Sequence, residues 1–212
     1  MTDDVLATDG RVIGERAAAT RQRLLDATVM LLRRDGVLDL RVVDITREAG
    51  AAPATFYQYF LDLDAAILAL AEIAIDAEAP LVDFLQPPWT SGADRERSAA
   101  FVEAYGSYWR EHYPVLVLRN LKADEGDVAY RSVRSRANLL LLRHMAAMVT
   151  AGQEAQRVST SLDPFATAAA MMAMLDQLFA YQNELRRRGS SRAAQLDTLT
   201  TILFQTLSGI VD

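Results

Sequence analysis

The chain has 212 residues, of which 51% are hydrophobic and 24% are charged. This apolar content is enough for a sizeable core, and it excludes a chain that is disordered throughout. Because the sequence contains no cysteine, it also excludes disulfides, thiolate zinc sites and cysteine nucleophiles.

The formal net charge of −6 argues against a surface that is basic throughout. The charge is unevenly distributed, however. Residues 11–63 contain eight arginines against seven acidic residues, so this segment carries a charge near +1. The rest of the chain therefore carries the acidity, and a locally basic N-terminal surface is compatible with the composition.

The first residues, 1 to about 15, are predicted to form a flexible arm. No apolar stretch of the kind found in secretory signals occurs in residues 1–10. The longest uncharged apolar run, from Phe165 to Leu175, is too short to cross a bilayer. We therefore expect a cytoplasmic protein without a membrane partner.

Glycine and proline are few and clustered, and helix formers fill the stretches between them, which predicts an all-α fold of about nine helices. Gly36 and Gly50 are placed to end helices, and Pro53 suits a first helical turn. Asp62 can cap the helix that follows it. The predicted helices cover residues 15–35, 43–49, 53–60, 63–85, 94–112, 114–122, 127–151, 164–188 and 192–210.

The second and third predicted helices, with the glycine-containing turn between them, have the geometry of a helix-turn-helix unit. The first helix would supply the platform on which both pack. Five residues are predicted to fill the small core: Val42, Ile45, Ala49, Phe56 and Phe60. We therefore expect three parts: the arm at 1–15, a DNA-binding domain at 16–62 and a larger helical domain at 63–212.

This unit carries a resemblance to a known family. The chain resembles the tetracycline-repressor (TetR) family at residues 42–50, VVDITREAG, and at residues 55–60, TFYQYF. The total length and the run of C-terminal helices also fit that family. The resemblance implies a homodimer, a palindromic DNA operator and an effector pocket in the C-terminal domain.

The sequence departs from the family pattern around the recognition helix. Ala52 and Pro53 stand where the family often has serine followed by a cation, and Ala54 replaces a frequent glycine. Leu63 stands where a phosphate-contacting lysine is usual. We expect other cations to take over the phosphate contacts, and the candidates are Arg11, Arg16, Arg41 and Arg47.

Eight residues are predicted to contact DNA: Arg41, Arg47, Pro53, Ala54, Thr55, Tyr57, Gln58 and Tyr59. The hydroxyls of Thr55 and Tyr57 can donate to phosphates, whereas Gln58 can pair with adenine in the major groove. Two alternatives stay open. The tyrosines can simply cap the small core, and Arg47 can be a solvated surface charge.

The other three helix residues that are predicted to contact DNA would make contacts of two kinds. Tyr59 can reach a phosphate or a base edge, because its hydroxyl stands at the end of a long side chain. Pro53 and Ala54 offer only apolar surface, which suits a thymine methyl group.

The C-terminal helices carry stripes of aromatic and methionine side chains, which can line an adaptable cavity. The predicted ligand-binding residues are Phe101, Tyr105, Tyr108, Trp109, Asn138, Leu142, Met145, Met171, Met174, Gln177, Leu178 and Asn183. The simpler interpretation of any one of them is that it belongs to the core. The largely uncharged character of the set predicts a small hydrophobic or aromatic effector.

The last two helices are predicted to form the dimer interface, because they carry more apolar surface than one subunit needs for its own core. The residues concerned are Leu178, Leu185, Leu196, Leu199, Ile202, Leu203, Leu207 and Ile210.

Together these features predict a repressor that leaves its operator when an effector binds, because the effector displaces the helix at 63–85 and changes the spacing of the two recognition helices. The alternative is a helical ligand-binding or dimerisation module that has lost DNA binding. An enzyme, a cofactor and a metal site are not expected. Neither His112 nor His144 follows a glutamate at the spacing of a di-iron bundle, and no phosphate-binding glycine loop occurs.

Overall fold

The computed structural model describes residues 14–36 and 40–211, and within these ranges it contains nine α-helices and no strand. The predicted all-α fold is confirmed. Residues 1–13 of the predicted arm, with Arg11, lie outside the described residues. Two compact units form: one from residues up to Ala74 together with Pro114–Arg134, the other from Ile75–Tyr113 together with Ser135 onward. The predicted three-part division of the chain stays a prediction.

The first unit is built on three helices that pack against one another: α1 (Glu15–Asp35), α2 (Val42–Glu48) and α3 (Pro53–Tyr59). Of the five predicted core residues, Ile45, Phe56 and Phe60 are buried, whereas Val42 and Ala49 are half-buried. The ring centroids of Phe56 and Phe60 lie 5.3 Å apart. Apolar burial therefore fixes α3 against its neighbours through its aromatic side.

Three further helices begin in the middle of the chain: α4 (Leu63–Glu78), α5 (Arg95–Asp124) and α6 (Val128–Arg136). Asp62 caps α4 as predicted, since its Oδ1 accepts the N–H of Ala65 at 2.8 Å. Within the first unit, the hydroxyl of Tyr130 donates to Asp64 at 2.9 Å, and Lys122 Nζ lies 3.3 Å from the same carboxylate. Burial, and then the hydrogen bond to Asp64, raises the pKa of Tyr130, so its phenol stays a neutral donor.

The second unit is centred on α7 (Leu139–Glu154), which packs on α8 (Pro164–Arg187) and α9 (Arg192–Ser208). Side chains of Asp163 and Ser191 cap α8 and α9 by accepting backbone N–H groups. Trp89 is 1% exposed and donates its indole N–H to the carbonyl of Phe84 at 3.0 Å. Burial of the Trp89 side chain fixes the segment before α5 to the second unit.

Two predicted helix boundaries are wrong because of prolines. α4 ends at Glu78 rather than near Leu85, and a 3-10 segment, Ala79–Leu85, follows it. Pro80 lacks the N–H that an α-helical bond requires there. The helices predicted at 94–112 and 114–122 are instead one helix, α5, with Pro114 inside it. Val115 and Leu116, directly after the proline, are buried, and their burial outweighs the one lost hydrogen bond.

A third boundary is wrong because of a contact that is distant in sequence. The helix predicted at 127–151 is two helices, α6 and α7, which are separated at Asn138. Asn138 has a φ of 63°, in the left-handed region, and its backbone N–H donates to Oε2 of Glu78 at 2.8 Å. An N–H engaged by a side chain cannot continue the helical ladder, so the chain turns here.

Gly209→Ala is expected to lower the free energy of unfolding by about 2–4 kcal/mol, as measured by chemical denaturation. Gly209 ends α9 with a φ of 70°. A β-carbon at this position would lie 2.4 Å from the carbonyl oxygen of Arg157. Since the obstructing atoms are backbone, they cannot rotate aside, and the overlap adds to the strain of a left-handed alanine.

Gly189→Ala is the matched control for this prediction. Gly189 has a φ of +97°, but no atom lies within 4 Å of a β-carbon placed on it. We expect a loss of only about 1 kcal/mol there, from backbone strain alone. Equal losses at the two glycines would show that the close approach to Arg157 has no energetic weight.

Candidate functional site

The outward side of α3 lies on the surface of the first unit. Tyr57 is 54% exposed, and Pro53, Ala54 and Gln58 are also exposed. Phe56, between them, is 0% exposed. Residues three and four positions apart are neighbours on a helix surface, so these four residues form one accessible face while the aromatic side of α3 packs inward.

Thr55 and Tyr59 lie at the edges of this face and are half-buried. Neither residue is fully enclosed in the core. Of the six predicted DNA-contacting residues of α3, four are therefore exposed and two are half-buried, and their role in DNA binding stays a prediction.

The two predicted arginines belong to the neighbouring helix, α2, which packs on α3: Arg41 directly precedes α2 and Arg47 lies within it. Their side chains are 74% exposed for Arg41 and 73% exposed for Arg47. Asp44 lies between them. The Nε of Arg41 donates to Oδ2 of Asp44 at 3.0 Å, and Nη1 of Arg47 donates to Oδ1 at 3.0 Å. Sequence analysis did not assign a role to Asp44, although its spacing of three residues from both arginines predicts this pairing on a helix.

A row of aromatic side chains from α5 is buried in the second unit. The ring centroid of Tyr105 lies 5.9 Å from Phe101 and 5.6 Å from Tyr108, as the predicted stripe requires. Phe179 on α8 adds a further ring, 6.0 Å from Tyr105. Gly106 allows this approach, because a β-carbon on it would lie 2.5 Å from the Phe179 ring.

Asp176, on α8, accepts three hydrogen bonds among these rings. Its Oδ1 accepts from the hydroxyl of Tyr105 at 2.5 Å and from the indole N–H of Trp109 at 2.9 Å. Its Oδ2 accepts from the side-chain amide of Asn138 at 3.1 Å. All three donors are neutral, and no cation of the described residues pairs with this carboxylate. Three predicted ligand-binding residues are therefore brought together around a negative charge.

Burial raises the pKa of Tyr105 well above its ordinary value, and the charges of Asp176 and Glu78 raise it further. Tyr105 is 0% exposed, so its phenol is a neutral donor at any physiological pH. This part of the unit can offer a ligand aromatic surface and a carboxylate acceptor.

Sequence analysis missed both carboxylates. Asp176 is the only charged residue between Asp163 and Glu184, and an isolated acid within so apolar a stretch is a signal that could have identified it. Glu78 is 3% exposed, but it follows Asp76 and Ala77 in an ordinary acidic stretch, so no local signal marks it.

The other predicted ligand-binding residues are more dispersed. Met145 is buried at 0% exposure. Four of them are half-buried: Leu142, Met171, Met174 and Leu178. Gln177 and Asn183 are exposed on α8. The structure therefore does not bring these two amides to the Asp176 cluster, and their role in ligand binding stays a prediction.

A cleft of about 530 Å³ opens on the second unit and includes none of the predicted ligand-binding residues; its lining is Leu85, Gln86, Pro87, Pro88, His144, Ala147 and Met148. In residues 14–36 and 40–211 we find no group of three or more histidine or acidic side chains that could hold a metal. Every helix in the same ranges falls short of the length and apolar character needed to cross a bilayer.

Three of the eight predicted dimer residues lie in the core rather than at the surface, whereas Ile202 on α9 is exposed. Leu199, Leu203 and Leu207 are at most 1% exposed within a single chain, so they belong to the core of their own unit. Large apolar side chains are exposed elsewhere on these helices, where Phe165 and Tyr181 are each 50% exposed. Four alanines of α8 are also exposed: Ala166, Ala169, Ala170 and Ala173.

Two family descriptions match the chain. Residues 24–62 match "Bacterial regulatory proteins, tetR family". Residues 81–210 match "Tetracyclin repressor-like, C-terminal domain". No curated protein matches the chain in sequence.

Solved structures with a similar fold cover nearly the whole chain. A Rhodococcus sp. RHA1 protein of unknown function has a TM-score of 0.68 at 23% identity, covering 89% of this chain and 95% of its own. A Saccharomonospora viridis regulator in complex with choline has a TM-score of 0.66 at 23% identity, covering 88% and 94%. The Bacillus subtilis regulator FadR in complex with stearoyl-CoA has a TM-score of 0.63 at 16% identity, covering 90% and 99%.

Proposed function

The chain belongs to the tetracycline-repressor family of bacterial transcriptional regulators, and we propose that it is a cytoplasmic repressor that binds a palindromic operator as a homodimer. The observation that carries this proposal is the surface of α3. Tyr57 and Gln58 are exposed, while Phe56 and Phe60 fix the helix to the core. An exposed polar helix face on a rigid helix-turn-helix support is what major-groove reading requires.

On this proposal, the contacts to DNA divide into two classes. The hydroxyls of Thr55 and Tyr57, together with the arginines of α2, bind phosphates and set the position of the protein on the duplex. Gln58 reads a base edge, because its amide can pair bidentately with adenine. Tyr59, Pro53 and Ala54 supply further contacts at the margin of this face.

We infer that a small hydrophobic or aromatic effector binds in the second unit, beside the aromatic row of α5. The rings supply apolar surface, and Asp176 is an acceptor for a polar group on the effector. The similarity to regulators solved with choline and with stearoyl-CoA supports an effector role for a fold of this kind. Effector binding releases the operator by favouring a conformation with a different spacing of recognition helices.

The test begins with selection of DNA from a random duplex library by the purified full-length protein. We expect an enriched palindrome whose binding weakens steeply with salt. Ligand candidates that stabilise the protein are then titrated calorimetrically with and without that operator. Equal ligand affinity in both titrations would rule out the coupling. Failure to enrich any sequence would favour the alternative, a helical module without DNA binding.

Ala173→Glu is expected to convert the homodimer to monomers at micromolar concentration, as measured by light scattering after size-exclusion chromatography. Ala173 lies among the exposed alanines of α8, near the exposed rings of Phe165 and Tyr181 in sequence. In a two-fold interface one substitution places two like charges in the buried area, and neither has a partner there.

Ala100→Glu, on the exposed side of α5, is the control for the charge itself. We expect this variant to elute as the wild-type protein does. A dimeric Ala173→Glu protein would place the interface outside this part of α8.

A further inference from the structure

We propose that Asp44 acts as an internal competitor for DNA phosphates and so lowers the affinity of the protein for non-operator DNA. The inference rests on the DNA-binding function proposed above and adds a specificity-determining residue that does not itself read a base. It is carried by the ion pairs of Asp44 with Arg41 and Arg47.

Both oxygens of the Asp44 carboxylate accept a hydrogen bond from an arginine. Oδ2 of Asp44 accepts from Arg41 at 3.0 Å, and Oδ1 accepts from Arg47 at 3.0 Å. Asp44 is only 20% exposed, whereas the two arginines are 74% and 73% exposed. The acid thus lies between and beneath two accessible cations.

Each guanidinium keeps most of its hydrogen-bonding capacity outside this contact. An arginine carries five N–H donors, and the two pairs use one nitrogen of each guanidinium. The remaining donors of Arg41 and Arg47 are accessible, because both side chains are largely exposed. Phosphate oxygens can therefore approach the same cations that the carboxylate already holds.

The carboxylate changes the charge that DNA meets. Two arginines and one aspartate carry a net charge of +1, whereas the arginines alone would carry +2. Binding that depends only on phosphate contacts follows this local charge, because each neutralised phosphate releases counterions. At 0.1 M salt, one additional phosphate neutralised multiplies the affinity by about eight.

The competition is reversible because exposed ion pairs are weak. Surface pairs of this kind contribute little to stability, and a phosphate of the operator can replace the carboxylate when the complex is in register. On non-operator DNA no base contacts compensate for breaking the pairs. Asp44 therefore penalises unspecific complexes more than the specific one.

The same helix offers a matched control. Glu48 is exposed at the end of α2, and in the described part of the chain no ion pair links it to Arg41 or Arg47. Glu48→Gln removes the same charge from the same helix as Asp44→Asn does. A difference between the two variants therefore reports the contact with the arginines and not the change in net charge.

The experiment measures binding of a fluorescent duplex of random sequence, about 24 base pairs long, over a range of salt concentrations. For Asp44→Asn we expect binding about 3- to 10-fold tighter at 0.1 M salt and a plot of log affinity against log salt that is steeper by about one. For Glu48→Gln we expect less than a 2-fold change. Thermal melts check that both variants remain folded.

A double-mutant cycle then tests whether the arginines carry the effect. In an Arg41→Ala, Arg47→Ala background, the additional Asp44→Asn change is expected to leave the affinity unaltered. Three outcomes would overturn this inference but leave the proposed function intact. They are an equal gain from Asp44→Asn in that background, a gain of the same size from Glu48→Gln, and weaker binding by Asp44→Asn. A wild-type protein that binds neither a random duplex nor a selected one at low salt would overturn the proposed function as well.

Discussion

Gln58→Ala is expected to weaken operator binding by about 30-fold or more while leaving binding to a random duplex unchanged. A bidentate glutamine–adenine contact provides about 1–3 kcal/mol of discrimination, and a homodimer on a palindrome loses it twice. Gln58 is exposed on α3, next to the 54% exposed Tyr57, where such a contact can be made. Fluorescence anisotropy with the selected operator measures the change.

Two variants separate reading from positioning. Gln22→Ala makes the same substitution at an exposed site of α1 and is expected to bind as the wild-type protein does. Tyr57→Phe removes a predicted phosphate donor, so it should weaken the operator and the random duplex by the same factor. If Gln58→Ala also weakened binding to both duplexes by the same factor, Gln58 would contact the DNA backbone rather than read a base.

Asp176→Ala is expected to lower the free energy of unfolding by about 3–5 kcal/mol, as measured by chemical denaturation. Three donors lose their acceptor at once: the hydroxyl of Tyr105, the indole of Trp109 and the amide of Asn138. Tyr105 and Trp109 are 0% and 2% exposed, so water cannot easily replace the carboxylate. Asp176→Asn keeps one acceptor oxygen and should lose less.

Asp197→Ala provides the comparison with an ordinary surface acid. Asp197 on α9 pairs with Arg95 at 3.0 Å, but its side chain is 73% exposed. Its removal should cost at most about 1 kcal/mol. Similar losses for the two variants would mean that the Asp176 hydrogen bonds contribute no more to stability than a surface ion pair does.

The helix-turn-helix could be predicted from the sequence because its signals are local. Gly50 ends α2 and Pro53 begins α3, as the turn between them requires. The alternation of exposed and buried residues on α3 follows from helical spacing around Phe56 and Phe60. The family resemblance added the expected DNA-binding role to a geometry that these residues already indicated.

The C-terminal half was less predictable because its features depend on distant contacts. The turn at Asn138 arises where Glu78, sixty positions earlier, accepts its N–H. α5 continues through Pro114, although a proline usually ends a helix, because the residues that follow it are buried. The leucines of α9 follow one helical stripe, and periodicity alone cannot tell whether such a stripe faces its own core or a second subunit.

If the second unit binds an effector as proposed, Asn138 limits how its ligand specificity could be changed. Its backbone adopts a left-handed turn, and its side chain reaches Asp176 at 3.1 Å. Glycine would keep the turn and lose the amide, whereas most other residues would lose both. A combinatorial library for a biosensor should therefore leave Asn138 unaltered and vary the half-buried apolar positions Leu142, Met171 and Met174.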